Sequence, residues 1–291
     1  MKKQQIAPTK KTFTNLPMWG AVLTAIILAM PMRGYTHETN APPGAAANQT
    51  PQAQGTNAQA GPVMEQAALD ELKRMSAALS GAKSFTCKTR STTEVPAPKT
   101  GQFITLIGNS EVAMLRPNKL KVQVAGEVPN FDFYYDGTNI AAYAPQNKVY
   151  SIAKAPGTID EMFKNLEEKT GIELPAADLL SGDPYTELTK NLTSAFVVDK
   201  PTLDGVPCVH LAFVSPGIHW QIWIDAGKSA LPQRFAVTYA DVPNFPRRMV
   251  DLSNWNLHPN LTDKDFVFQA PSDAKQIEFL APTPTGRQKG R

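Results

Sequence analysis

The chain is poor in the residues that most reactions and metal sites require. Its 291 residues include only two cysteines and four histidines. Cys87 and Cys208 stand too far apart for a CxxC redox pair or a local zinc site. No G-x-S-x-G, P-loop, G-x-G-x-x-G, H-E-x-x-H or EF-hand spacing occurs, so no enzyme class announces itself and no cofactor is expected. An excess of one charge is missing as well. The formal net charge is +3, and Lys2, Lys3, Lys10 and Lys11 precede the first apolar run, which leaves the remainder close to neutral. A nucleic-acid partner would need a concentrated basic face, so none is expected. The apolar run 18–30 also falls short of the roughly 20 residues that a helical membrane span needs.

That run instead fits an export signal. Basic residues precede it, Gly20 and Thr24 alone interrupt it, and Pro31 and Arg33 follow. Residues 1–35 are therefore an export signal or a membrane anchor, and Thr39-Asn40-Ala41 is the best small-residue cleavage site. If uncleaved, the segment tethers the protein to the inner membrane; either way the lysines in front of it place the rest of the chain in the periplasm. Residues 36–62 are almost all Ala, Asn, Gln, Gly, Pro and Thr, too few apolar groups to offset ordering entropy, so they form a disordered tether. The tail 281–291, with Pro282, Pro284 and Gly286 ahead of Arg287, Lys289 and Arg291, is read the same way. One folded domain, 63–280, remains.

Met64, Ala68, Leu72, Met75 and Leu79 recur at helical spacing, and Gly81 ends that helix. The period then changes to two. Strands are expected at 85–93, 103–115, 119–124, 131–135, 139–143 and 148–152, separated by turn signals such as Asp136-Gly137 and Arg116-Pro117-Asn118. A helical plug follows. Thr158 and Glu161 form a capping box, Ile159, Met162, Phe163 and Leu166 supply an apolar face, and Gly171 stops the helix. Residues 175–180 add a further turn, and Asp183-Pro184 opens another short helix. Strands resume at 195–198, 206–214, 218–225, 234–239 and 247–257. The class is α+β, mainly antiparallel β.

Two strands reveal a buried face. Val209, Leu211 and Phe213 alternate with Cys208, His210 and Ala212, while Ile218, Trp220, Ile222 and Ile224 alternate with His219, Gln221 and Trp223. A hairpin through Ser215-Pro216-Gly217 buries both apolar rows together. His210, His219 and Asp225 could meet as metal ligands, but a solvated rim is the simpler reading. Asp132, Asp136, Asp160 and Glu161 sit where capping and turn roles explain them. Trp220, Trp223 and Trp255 could mark a ligand face, although alternating aromatics are ordinary core. Cys87 and Cys208 could be buried free thiols; in an oxidising compartment a disulfide is the expectation. Such a bond would close a loop of about 120 residues and be worth roughly 4 to 5 kcal/mol.

The motifs Tyr135-Asp136-Gly137, Asp183-Pro184-Tyr185, Asp204-Gly205-Val206-Pro207-Cys208, Trp220-Gln221-Ile222-Trp223-Ile224-Asp225 and Trp255-Asn256-Leu257 recur in that order. With Phe266, Phe268, Pro271 and Asp273, they resemble a family of predicted periplasmic proteins. That family is similar to the lipoprotein-carrier fold of LolA and LolB. The resemblance implies a curved, unclosed barrel with an N-terminal helix and a helical plug inserted between strands. It also implies a non-enzymatic binding or carrier protein for a lipid or lipoprotein acyl group. Leu211, Phe213, Trp220 and Ile222 would then line the hydrophobic ligand. An envelope protein-interaction or stress-sensing module using the same concave face is the competing expectation. The lysines ahead of the apolar run make the topology testable: alkaline phosphatase fused after Leu280 should be active in an export-competent host. An inactive fusion, paired with an active cytoplasmic reporter, would reverse the assignment.

Overall fold

The computed structural model describes residues 61–97, 100–128, 130–155, 157–170 and 177–278. The segments 1–35 and 281–291, all but the last two residues of 36–62, Gly171 and the start of the expected turn at 175–176 lie outside the described residues.

Helix α1 (Gln66–Gly81) buries Ala68, Leu72, Met75 and Leu79, the stripe that its spacing predicts. Met64 does not belong to it. Residues 63–65 are extended along a later strand, where the Glu65 N–H donates to the Ala195 carbonyl (2.8 Å) and the Ala195 N–H to the Val63 carbonyl (2.7 Å). Six strands then form a meander: β1 (Ser84–Pro96), β2 (Phe103–Leu115), β3 (Lys119–Gly126), β4 (Phe131–Tyr135), β5 (Asn139–Ala144) and β6 (Val149–Lys154). In the Asp136-Gly137 turn, Asp136 Oδ1 accepts from the N–H groups of Thr138 and Asn139 (2.8 and 2.7 Å).

Three helical pieces follow, α2 (Ile159–Thr170), a 3₁₀ turn (Ala177–Leu180) and α3 (Pro184–Thr189). The capping box at α2 is present: Thr158 Oγ1 accepts from the Glu161 N–H (3.1 Å), and Glu161 Oε2 accepts from the Thr158 N–H (3.0 Å). Asp183 caps α3 by accepting from the Thr186 N–H (3.1 Å). The second meander comprises β7 (Ser194–Asp199), β8 (Thr202–Leu203), β9 (Val206–Ser215), β10 (Ile218–Asp225), β11 (Pro232–Tyr239) and β12 (Arg247–Asn256), with a short β13 (Lys275–Gln276) near the end.

All of these strands form one unclosed, curled sheet in the order β13-β6-β5-β4-β3-β2-β1-β12-β11-β10-β9-β7, with β8 paired to β9. Every strand pair but the parallel β13–β6 is antiparallel. The β1–β12 ladder joins the two meanders, setting Thr89 opposite Leu252 and Ser91 opposite Val250. Because β6 and β7 lie toward opposite ends of this order, the chain between them has to cross a face of the sheet. It crosses the inner face, and helices cover part of it as a result. Ile159, Met162 and Leu166 of α2 join Phe85, Met114, Leu120 and Tyr135 in one core cluster. Leu188 of α3 and the α1 stripe join Leu211, Trp220, Ile222 and Phe235 in another. Trp255 and Leu257 pack against both clusters. The Trp255 ring lies 5.4 Å from that of Phe85, and its Nε1–H donates to the Pro232 carbonyl (3.0 Å).

The expected Cys87–Cys208 disulfide is corrected: both thiols are free and buried. Cys87 belongs to the inner-face cluster of β1. Cys208 alternates with Val209 and Leu211, so it faces outward on β9, where its Sγ–H donates to the Val206 carbonyl (3.3 Å). Strands β12, β11 and β10 stand between them, a path of about 19 Å along the sheet, whereas a disulfide needs Cα atoms within roughly 7 Å. Sequence distance carried no information about which face each cysteine occupies. Burial pushes the Cys87 thiol from an ordinary value of 9.0 to about 12. The folded state therefore holds this proton more tightly than the unfolded chain does. The stability linked to it is intact below about pH 9 and is lost as pH rises toward 12. Thiol titration of the denatured, unreduced protein should count two thiols per chain, and the alkaline loss of stability should be shallower in Cys87→Ala. A count of zero would restore the disulfide.

Candidate ligand-binding site

Alternation assigns one residue in two of each strand to the inner face, and on β2, β3, β4, β10 and β12 burial along that row falls toward the same end. On β2 it runs from Met114, fully buried, through Val112 and half-buried Leu106 to Ile104, which is 41% exposed. On β3 and β4 it runs from Leu120 and Tyr135 to half-buried Val124 and Phe131. On β10 and β12 it runs from Ile222 and Leu252 to half-buried Ile218 and Arg248. The well-buried ends are those packed against α1, α2 and α3; the other end of the inner face has no helix among the described residues. Ile104, Leu106, Val124, Phe131 and Ile218 nonetheless present apolar side chains there. Val95 faces Ile104 across the β1–β2 ladder, and Val128 reaches in beside Gly108. A Cβ at Gly108 would come within 2.9 Å of Val128 Cγ2 and 3.0 Å of Ser91 Oγ, so glycine permits that close approach.

The four residues expected to line a ligand all lie on the inner face, at the helix-covered end. Leu211 pairs with Ile222 and Phe213 with Trp220. The Phe213 and Trp220 rings stack at 3.9 Å, and each of the four is at most 5% exposed beneath α1. They adjoin the half-buried Ile218. Polar contacts hold α1 in place: Arg74 donates to the carbonyls of Gly227 and Asp225 (both 2.8 Å), and Ser76 Oγ accepts from the Tyr185 N–H (2.9 Å).

Two arginines have roles that local spacing does not signal. Arg116, in the turn after β2, donates to the carbonyls of Leu180 (3.2 Å) and Leu79 (3.4 Å) and so ties the 3₁₀ turn and the end of α1 to β2. Arg248 shares the parity of Val250 and Leu252 on β12, a charged residue in an apolar row. That parity was visible in the sequence.

The outer face holds the histidine candidates. His210 stands opposite Trp223 and His219 opposite Val214, so the ladder does not pair them. The His210 ring stacks on Trp223 at 3.9 Å with Nε2 3.0 Å from Gln221 Oε1, and burial lowers its pKa. Asp225 accepts from the Gly227 N–H (2.7 Å) and the Ser229 hydroxyl, a turn role. Arg234 pairs with Asp251 beside Trp223. Among the described residues no cluster of His, Cys, Asp or Glu is arranged to hold a metal ion.

The domain is thus an unclosed antiparallel sheet, curled about an inner face that helices cover at one end. Residues 68–280 match the family described as "Predicted periplasmic protein (DUF2092)", and the chain belongs to that family. Its location is periplasmic. Among curated proteins none matches. The fold is similar to the Mycobacterium tuberculosis lipoprotein LppX (15% identity, TM-score 0.45, covering 68% of this chain and 100% of that one). It is also similar to an uncharacterized conserved protein from Thermus thermophilus (13%, 0.43, 73% and 99%). A third is the LolA superfamily protein NE2245 from Nitrosomonas europaea (12%, 0.37, 69% and 97%). No helix among the described residues is long and apolar enough to cross a membrane.

The burial gradient predicts a mutational gradient. Trp220→Ala, at the covered end, should cost about 3 to 5 kcal/mol in urea unfolding. Ile104→Ser, at the open end, should change stability by less than about 1 kcal/mol. Equal losses at the two positions would mean that both ends are sealed.

Proposed function

We propose that the domain is a periplasmic, non-enzymatic binding or carrier protein whose hydrophobic ligand, a lipid or the acyl chain of a lipoprotein, enters at the open end of the inner face. The observation that carries this reading is the gradient itself: the same apolar rows are sealed by helices at one end and half-covered at the other. An apolar surface left without a partner favours an apolar occupant, at about 0.8 kcal/mol per CH₂ removed from water. Leu106, Ile104, Val124 and Phe131 make the first contacts. Leu211, Phe213, Trp220 and Ile222 lie further along the same face, and a ligand reaches them only where α1 yields its place above them. In this reading residues 1–35 export the domain or tether it to the inner membrane, and 36–62 give it reach.

A fluorescent fatty-acid probe titrated against the exported protein should bind saturably. Leu106→Glu should weaken that binding with a nearly unchanged urea midpoint, whereas Ile222→Glu, in the sealed end, should lower the midpoint strongly. Mass spectra of the purified wild type should contain co-purified lipid. A well-folded wild type with neither saturable probe binding nor lipid would turn the assignment toward a module that binds a protein segment on the same face.

A further inference from the structure

Among the described residues, two arginines, Arg116 and Arg248, have a buried Nε with no hydrogen-bond partner. The remaining nitrogens of Arg116 are engaged by helix carbonyls. Arg248 is placed otherwise. It lies on the inner face, opposite Val237 on β11 and Thr93 on β1, and Thr93 in turn faces Leu106 on β2. Two strand spacings, about 10 Å, therefore separate its backbone from the apolar row that ends at Ile104. Val250, its neighbour on the same face, is core. No ion pair among the described residues includes it. Burial lowers its pKa, and the group whose charge offsets that effect is the Tyr239 phenol rather than a carboxylate. An arginine nevertheless stays cationic at neutral pH.

A cation held in an apolar face without a counter-ion destabilises the fold, and removing such a charge usually restores stability. Packing alone therefore does not account for an arginine here. A guanidinium fork fits a carboxylate or a phosphate through two parallel hydrogen bonds, and the half-covered apolar row of Leu106 and Ile104 lies two strands away. We propose that Arg248 receives the anionic head group, carboxylate or phosphate, of an amphiphile whose chain lies along Leu106 and Ile104. The inference rests on the hydrophobic-binding reading above and adds the chemistry of the ligand's polar end.

The test compares a fluorescent fatty acid, its methyl ester and a short-chain phosphatidic acid as competitor, using the full exported protein and the variants Arg248→Met and Arg248→Lys. Wild type should bind the acid more tightly than the ester. Arg248→Met should bind the acid about tenfold to a hundredfold more weakly and leave the ester unchanged, while Arg248→Lys recovers part of the loss. The urea midpoint of Arg248→Met should equal or exceed that of wild type; a large drop would make the arginine structural and overturn the proposal. Displacement of the acid probe by phosphatidic acid, but not by inorganic phosphate or acetate, supports an amphiphile, and displacement by inorganic phosphate alone overturns it. If acid and ester bind wild type equally and Arg248→Met weakens neither, the binding reading stands and the head-group inference falls. If neither binds wild type, the binding reading itself fails.

Discussion

The ladder between β1 and β12 carries the rest of the structure. Each meander is built from neighbours in sequence, and each alone would present an unsatisfied strand edge and half of an apolar face. Pairing the first strand with the twelfth fuses both halves into one curled sheet and brings the two core clusters together at Trp255 and Leu257. The closure entropy of that long-range contact is repaid by burial on both sides of it. The outer edges are shielded more lightly, by residues 63–65 on β7 and by β13 on β6, which is how sheets limit edge-to-edge association.

The same topology decides where the helices lie. A chain that leaves at β6 and re-enters at β7 must traverse the inner face, and the short crossover of α2, the 3₁₀ turn and α3 covers only one end of it. Helix α1 lies over that end too, tied down by Arg74, Ser76 and Arg116. The opposite end keeps apolar residues without a helix to meet them. This asymmetry, rather than any single residue, makes a binding reading physically reasonable.

Charge placement follows the same division. On the outer face and at the strand ends Arg234 meets Asp251, Lys88 meets Glu111 and Lys148 meets Asp273, so cations there have partners or solvent. On the inner face Arg116 is engaged by helix carbonyls, and Arg248 retains a buried, unpartnered nitrogen. A fold optimised for stability alone would place an apolar side chain at that position.

Local signals determined much of this protein. Period-two alternation and turn residues located the strands, with 103–115, 131–135 and 218–225 matching to the residue. The capping box at Thr158 and Glu161 and the Asp183-Pro184 start gave the plug its boundaries, because caps depend on bonds within one turn of chain. Alternation also put Leu211, Phe213, Trp220 and Ile222 on one face. What it could not supply was depth along that face, since parity distinguishes inside from outside but not the covered end of a strand from the open one. That difference arises where a crossover helix comes to rest, and it moved the accessible apolar residues to Ile104, Leu106 and Phe131. The cysteines show the same limit: their separation in the chain was plain, but only the strand order and the face of each strand kept Cys87 and Cys208 apart.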